Sequence, residues 1–209
     1  MDSLAALTGG APVAGVLLGV MVAASALGLV AAPGLIEKSL FRPHWLIPRH
    51  EYATLLASGF VHADFTHLLF NAFTFWAFAF GLERAIGSER FFWLYAFGLL
   101  ASDLGTWVRH RHDPDYRTLG ASGAITAVLF AYIVYRPLDK IYLYFAIGIP
   151  AVLFAFGYLA YSWWASGHSR DRVNHDAHLD GALTGLIFVG LTDFNAWRHA
   201  FRAVASWIS

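Results

Sequence analysis

Gly120-Ala121-Ser122-Gly123-Ala124-Ile125-Thr126-Ala127-Val128-Leu129-Phe130 sets a serine at the point where a polar loop turns into an apolar run. A polar side chain at membrane depth costs free energy, so such a residue marks a functional site by default. A second apolar run, late in the chain, holds the complementary group. There His178 is followed by Gly181 and Gly185, at i, i+3 and i+7. That spacing puts the imidazole and both glycines on one helical face. Whatever helix packs on the glycines is held close to the imidazole, and if that helix is the one opened by Ser122, serine and histidine can meet.

Composition decides the solvent in which these runs sit. Of 209 residues, 58% are hydrophobic and only 13% charged, where a soluble domain of this size has roughly 25% charged. No Asp, Glu, Lys or Arg occurs from Ser3 to Ile36 or from Ile141 to Ser169. Runs of about 20 apolar residues cross a bilayer, and only helices or closed barrels satisfy their backbone there. The expected fold is an all-α, polytopic bundle of six transmembrane helices. The 14 basic and 14 acidic residues balance, which gives no basis for nucleic-acid binding. Without cysteine there is no disulfide, thiol nucleophile or thiolate metal site. Met1-Asp2-Ser3 lacks the positive n-region of a cleavable leader, so the first span is expected to be retained.

The spans fall at about 11–32, 62–82, 91–108, 119–135, 141–164 and 177–192. Between the first two lies a long connection with Pro33, Phe41, Pro43, Trp45, Pro48 and Tyr52. Amphipathic aromatics favour the water–lipid boundary, which places this loop in the interface. Two further polar loops run from His110 to Arg117 and from Ser166 to Asp176. After the bundle, residues 1–194, a tail over 195–209 repeats Trp197, Phe201, Val204 and Ile208 with Arg198 and Arg202 on another face. That pattern predicts an interfacial amphipathic helix. Gly123, Ala127 and Ala131 in span four, and Gly181 and Gly185 in span six, are small at intervals of four. Such stripes let helix backbones approach closely in lipid. With both termini inside, Arg84, Arg90, Arg136, Lys140, Arg198 and Arg202 face inward. Lys38, Arg42, Arg49, Arg109, Arg111, Arg117, Arg170 and Arg172 face outward. The positive-inside bias therefore does not choose an orientation.

Ser122 is the candidate nucleophile and His178 the candidate base, because a serine hydroxyl is a poor nucleophile until a base accepts its proton. At a helix start, free backbone N–H groups and the positive dipole end favour an oxyanion. Gly120 and Gly123 remove side chains around it. His67 and Asn71, at i and i+4 in span two, offer N–H donors at membrane depth. His62 stands at the entrance to that span, placed to anchor the adjacent loop. Asp176 and Asp180 lie two residues either side of His178 and so point elsewhere on a helix, which favours a dyad over a triad. Asp103 and Asp180 are acids expected to be protonated or paired with polar neighbours, with a role for Asp180 in tuning the base as a lesser option.

The combination His62-x4-His67-x3-Asn71, Gly120-Ala121-Ser122-Gly123 and Ala177-His178-x2-Gly181-x3-Gly185 resembles the rhomboid family of intramembrane serine proteases. Order, span and spacing agree over about Ala11 to Thr192, and the turn Leu82-Glu83-Arg84-Ala85-Ile86-Gly87 is similar too. The resemblance implies Ser122 as nucleophile and His178 as base, with His67, Asn71 and the Ser122 N–H as oxyanion hole and Gly120, Gly123, Gly181 and Gly185 as support. It also implies no cofactor or metal and cytoplasmic termini. The site would open to the outer face of a bacterial cytoplasmic membrane. Substrates would be transmembrane proteins with helix-weakening residues near the cut. Two departures stand out. A first-loop Trp-Arg pair of many relatives is replaced by Ala53 and Thr54, so Tyr52, Trp45 or Arg49 must anchor the loop. A Tyr four residues after the nucleophile is replaced by Thr126, so the imidazole needs another platform or a hydrogen bond to Thr126. Competing readings are a metal or haem protein using His175 and His178 at i, i+3, and a non-catalytic relative that binds transmembrane helices.

Overall fold

The computed structural model describes residues 2–143, 146–168 and 173–209. After a short α1 (Asp2–Leu7) comes α2 (Pro12–Val30), then α3 (Pro33–Ser39) and α4 (Thr54–Ala57) in the long first connection. The bundle continues with α5 (Phe65–Ile86), α6 (Ser88–His110) and α7 (Ser122–Tyr135). A hairpin, β1 (Lys140–Leu143) and β2 (Ile147–Pro150), precedes α8 (Ala151–His168), α9 (His175–Thr192) and α10 (Phe194–Ile208). Each of α2, α5 and α6 is long and apolar enough to cross a bilayer. The helical bundle expected from the spans is the fold observed.

The central element is α7, apolar all round and buried at eleven of its 14 residues, as a helix without a polar face must be. Its length is about 21 Å at 1.5 Å per residue, short of the roughly 30 Å hydrocarbon core. On one side Gly98 of α6 admits Ala124 and Ala127; a Cβ at Gly98 would lie 2.6 Å from that of Ala127. On the other side the small stripe of α9 lies directly on the α7 backbone. A Cβ at Gly181 would collide with the Gly123 carbonyl oxygen, and one at Gly185 with that of Ala127.

The turn after α5 is explained by what Glu83 does. Buried to 1% exposure, its carboxylate accepts the backbone N–H groups of Val13 at 3.0 Å and Ala14 at 2.6 Å, and the Ser88 hydroxyl at 2.6 Å. No side chain of α2's own caps its N-terminus, so an acid from α5 satisfies the orphan donors. Gly87, at φ +85°, then turns the chain into α6.

The fifth span departs from expectation. Helix begins at Ala151, not near residue 141, and the residues before it form the antiparallel hairpin, Ile141 opposite Ile149 and Tyr142 opposite Gly148. The β-branched and aromatic residues here suit a pleat, and Gly148 and Pro150 oppose helix. Pro137 and Asp139 carbonyls then receive the N–H groups of Val152 and Ala151 at 2.9 and 2.8 Å. The tail is helical as its spacing indicates. Ala196 and Ala200 of α10 face inward while Phe201, Trp207 and Ile208 stay exposed, and the Trp197 indole donates to the Leu186 carbonyl at 3.4 Å.

Candidate active site

Ser122 is the first residue of α7, and the Ala121 cap position makes no side-chain bond. The N–H groups of the first turn are thus available at the positive end of the helix dipole. The preceding turn is fixed by three backbone hydrogen bonds. Phe41 and Thr118 exchange both backbone bonds at 3.0 Å, and Gly120 N–H donates to the Ser58 carbonyl at 2.9 Å. Gly120 itself adopts φ +118°, a conformation that favours glycine.

Against this glycine lies His67. A Cβ at position 120 would stand 2.6 Å from the His67 ring Cε1 and 2.8 Å from Nε2, so the imidazole seals directly onto the turn that presents Ser122. Asp64 places it there by capping α5, its carboxylate accepting the His67 N–H at 2.8 Å. His62 packs edge-on against His67, centroids 4.9 Å apart. Its Nδ1 shares a 2.9 Å hydrogen bond with the Ser25 hydroxyl of α2, so it ties the entrance of α5 to α2. Asn71 is buried one turn further on, its amide nitrogen donating to the His67 carbonyl at 3.2 Å. An amide NH₂ has two hydrogens, and that bond uses one of them.

His178 arrives on α9. The contacts Gly123–Gly181 and Ala127–Gly185 show α7 and α9 running parallel in fixed register, and one turn before Gly181 puts His178 level with the Gly120–Ser122 turn. The Ala177 carbonyl lies 3.3 Å from where a Cβ of Gly123 would be. Asn174 caps α9 by accepting the Ala177 N–H at 3.0 Å, and its amide donates to Thr106 on α6 at 3.0 Å. The residues singled out in spans two, four and six therefore converge at one end of the bundle. Both Ser122 and His178 are half-buried, neither sealed nor surface-exposed.

The flanking acids have other partners. Asp180 is bidentate with Arg109 of α6, at 2.5 and 2.9 Å, and Gly105 leaves room for its carboxylate. Asp176 forms an ion pair with Arg109 Nε at 3.5 Å and lies within hydrogen-bond reach of His110 Nε2 at 3.3 Å. Asp180 is thus a structural tie between α6 and α9. Asp103 accepts the Ser58 hydroxyl at 3.1 Å. It borders a polar cavity of about 10 Å³ behind Ser122, with Ser58, Ser102 and Asn174 on its walls, close to the size of one water molecule. A much larger cleft of about 770 Å³ lies apart from the site, between the first loop and Asp115–Arg117. No metal cluster of three or more His, Cys, Asp or Glu occurs among the described residues.

These elements coincide with a known family. The Rhomboid domain family matches residues 49–193, from the first loop through α9. The chain belongs to the rhomboid family. It is 40% identical over 84 residues to Putative rhomboid protease YdcA of Bacillus subtilis (strain 168), a match covering 40% of this chain and 41% of that one. It is 29% identical over 157 residues to Rhomboid protein 1, mitochondrial, of Saccharomyces cerevisiae (strain ATCC 204508 / S288c), covering 71% and 45%. RHOMBOID-like protein 12, mitochondrial, of Arabidopsis thaliana is 28% identical over 150 residues, covering 64% and 44%. The matches thus span less than half the length of these relatives. Family membership and the apolar helices together make this an integral membrane protein.

Both departures from the rhomboid pattern have structural replacements. The first loop is held by Trp45, whose indole donates to the Pro114 carbonyl at 3.2 Å, with the Arg49 guanidinium 3.8 Å over its ring. Tyr52 is half exposed, and its hydroxyl reaches only His50 among the side-chain hydrogen bonds described. Thr54, in place of arginine, is buried and donates to the Glu51 carbonyl at 2.6 Å. At the histidine, Tyr158 of α8 stacks on His178, with centroids 6.1 Å apart and planes 28° from parallel. Nothing in the sequence reading picked out Tyr158. The signal was an inward α8 stripe, Ala151, Tyr158, Ser162 and Ala165, in which a phenol and a hydroxyl interrupt an otherwise small apolar face. Within the second loop expected to line the site, 166–176, residues 169–172 lie outside the described residues.

Proposed function

We propose that this rhomboid is a serine endopeptidase that hydrolyses peptide bonds in or near transmembrane segments of other membrane proteins, with Ser122 and His178 as its dyad. The reading is carried by one observation: α9 seats its glycines on the α7 backbone, bringing His178 level with the turn that presents Ser122 and that His67 covers. Ser122 Oγ attacks the substrate carbonyl as His178 accepts its proton. The tetrahedral oxyanion receives hydrogen bonds from the Ser122 N–H, the free amide hydrogen of Asn71 and His67, donors already in position before the charge develops. His178 then protonates the departing amine, leaving an acyl-serine. Water, deprotonated by the same imidazole, releases the acid and restores the serine.

A peptide bond inside a regular helix is shielded by its own hydrogen bonds, so substrates should carry Gly or Pro near the cut. The reading also takes the α7 N-terminal end as facing the outer side of a bacterial cytoplasmic membrane, reached through the His110–Arg117 loop. The test is co-reconstitution in liposomes with transmembrane helices bearing a Gly-Pro step. Cleavage is expected with unaltered protein and lost in Ser122→Ala, whose thermal midpoint in detergent should barely move. Undiminished cleavage by Ser122→Ala would refute the assignment. Binding of these helices without cleavage would instead favour a non-catalytic rhomboid.

A further inference from the structure

We infer that Tyr158 is a positioning residue for the His178 base, so that the dyad is aligned by a third helix, α8, that contributes neither reacting group. The inference rests on the dyad reading above. Three contacts support it. The phenol ring stacks on the imidazole, 6.1 Å between centroids and 28° between planes. Its hydroxyl lies 3.4 Å from Thr126 Oγ1. Thr126 in turn donates to the Ser122 carbonyl at 2.7 Å. One side chain thereby touches the base and, through one intermediary, the backbone of the nucleophile.

The ring is itself braced. Phe130 of α7 packs against it at 5.6 Å and 56°, and Phe154, one turn back on α8, at 5.6 Å and 34°. A braced aromatic face restricts the imidazole to rotations in its own plane, the motion that turns a ring nitrogen toward or away from a hydroxyl. Thr126 cannot supply such a face, because it has no ring and its hydroxyl is already engaged with Ser122. The hydroxyl of Tyr158 holds the ring at its height along α7, so the ring should matter much more than the hydroxyl.

The experiment uses the 209-residue chain in detergent micelles. It measures the rate of labelling by a fluorophosphonate, which needs Ser122 and its base but no substrate recognition, and cleavage of a quenched-fluorescent apolar peptide with a Gly-Pro step. Tyr158→Phe should stay within about threefold of the unaltered rate. Tyr158→Leu should lose about 10- to 100-fold in labelling and kcat, the scale of a misaligned general base, with KM nearly unchanged and a displaced pH–rate profile. Adding Thr126→Tyr to Tyr158→Leu moves a ring onto α7 beside the vacated space, and should recover about tenfold or more of that loss.

Rates and a pH profile like those of unaltered protein in Tyr158→Leu would overturn the proposal. So would a loss expressed in KM alone, which would mark a substrate contact. If Tyr158→Leu does not survive purification, Tyr158→Phe decides. A rate within threefold supports the ring as the working part, and a loss of tenfold or more overturns it. Absence of Ser122-dependent labelling in the unaltered protein defeats the dyad reading and this proposal together. Normal labelling in both the unaltered protein and Tyr158→Leu defeats only the second.

Discussion

The two ends of α5 hold buried polar residues that look alike in sequence and differ in what they have left to give. At one end Glu83 is nearly sealed, and its two oxygens accept two backbone N–H groups and a hydroxyl. Its bonding capacity is directed at the α2 terminus. At the other end, about 24 Å away along a helix rising 1.5 Å per residue, His67 lies against the Gly120 turn that presents half-buried Ser122, with Asn71 one turn further on. There the Asn71 amide and the first turn of α7 hold N–H donors that no hydrogen bond among the described residues consumes. Polarity at membrane depth is therefore not enough to identify a site. Unspent hydrogen-bonding capacity at an opening is the better sign, because only such groups can bind a charge that appears during reaction.

The comparison can be broken by mutation. Glu83→Ala should cost roughly 2–6 kcal/mol of stability, about 1–3 for each of two orphaned backbone donors. Specific activity per folded molecule should stay unchanged, as read by thermal unfolding beside active-site titration. Selective loss of turnover with stability intact would make Glu83 part of the chemistry. Asn71→Ala should do the reverse, lowering kcat by about 10²–10³, the usual effect of removing one oxyanion donor, with KM unmoved. A rise in KM at constant kcat would count against that role. The smallest effect belongs to Asp180→Asn. Its Arg109 pair is partly solvated, so a loss of about 0.2–1 kcal/mol with an unaltered pH–rate profile is expected. A displaced profile would return Asp180 to the site.

Much of this was legible because membrane physics leaves few options. Apolar runs gave the helices, and the intervals of four at Gly123–Ala127 and Gly181–Gly185 pointed to the two helices that touch. The His67, Asn71, Ser122 and His178 pattern pointed to a candidate site chiefly through its resemblance to the rhomboid motifs, each polar residue being a weak signal alone. What stayed hidden depended on neighbours that no local pattern names. Residues 141–150 read as membrane-spanning by hydropathy, yet Gly148 and Pro150 favour a hairpin. Tyr158 is one aromatic among many on α8, and only packing shows which face of that helix meets His178. Asp180 lies close to His178 in sequence, but its partner Arg109 comes from another helix.

The central claim is that Ser122 is made reactive by His178, and serine-directed labelling in native membranes tests it most directly. A fluorophosphonate should modify the unaltered protein on Ser122, as mass mapping would show, and should fail on both Ser122→Ala and His178→Ala while each remains folded. Equal labelling of His178→Ala, or modification at a different serine, would contradict the account.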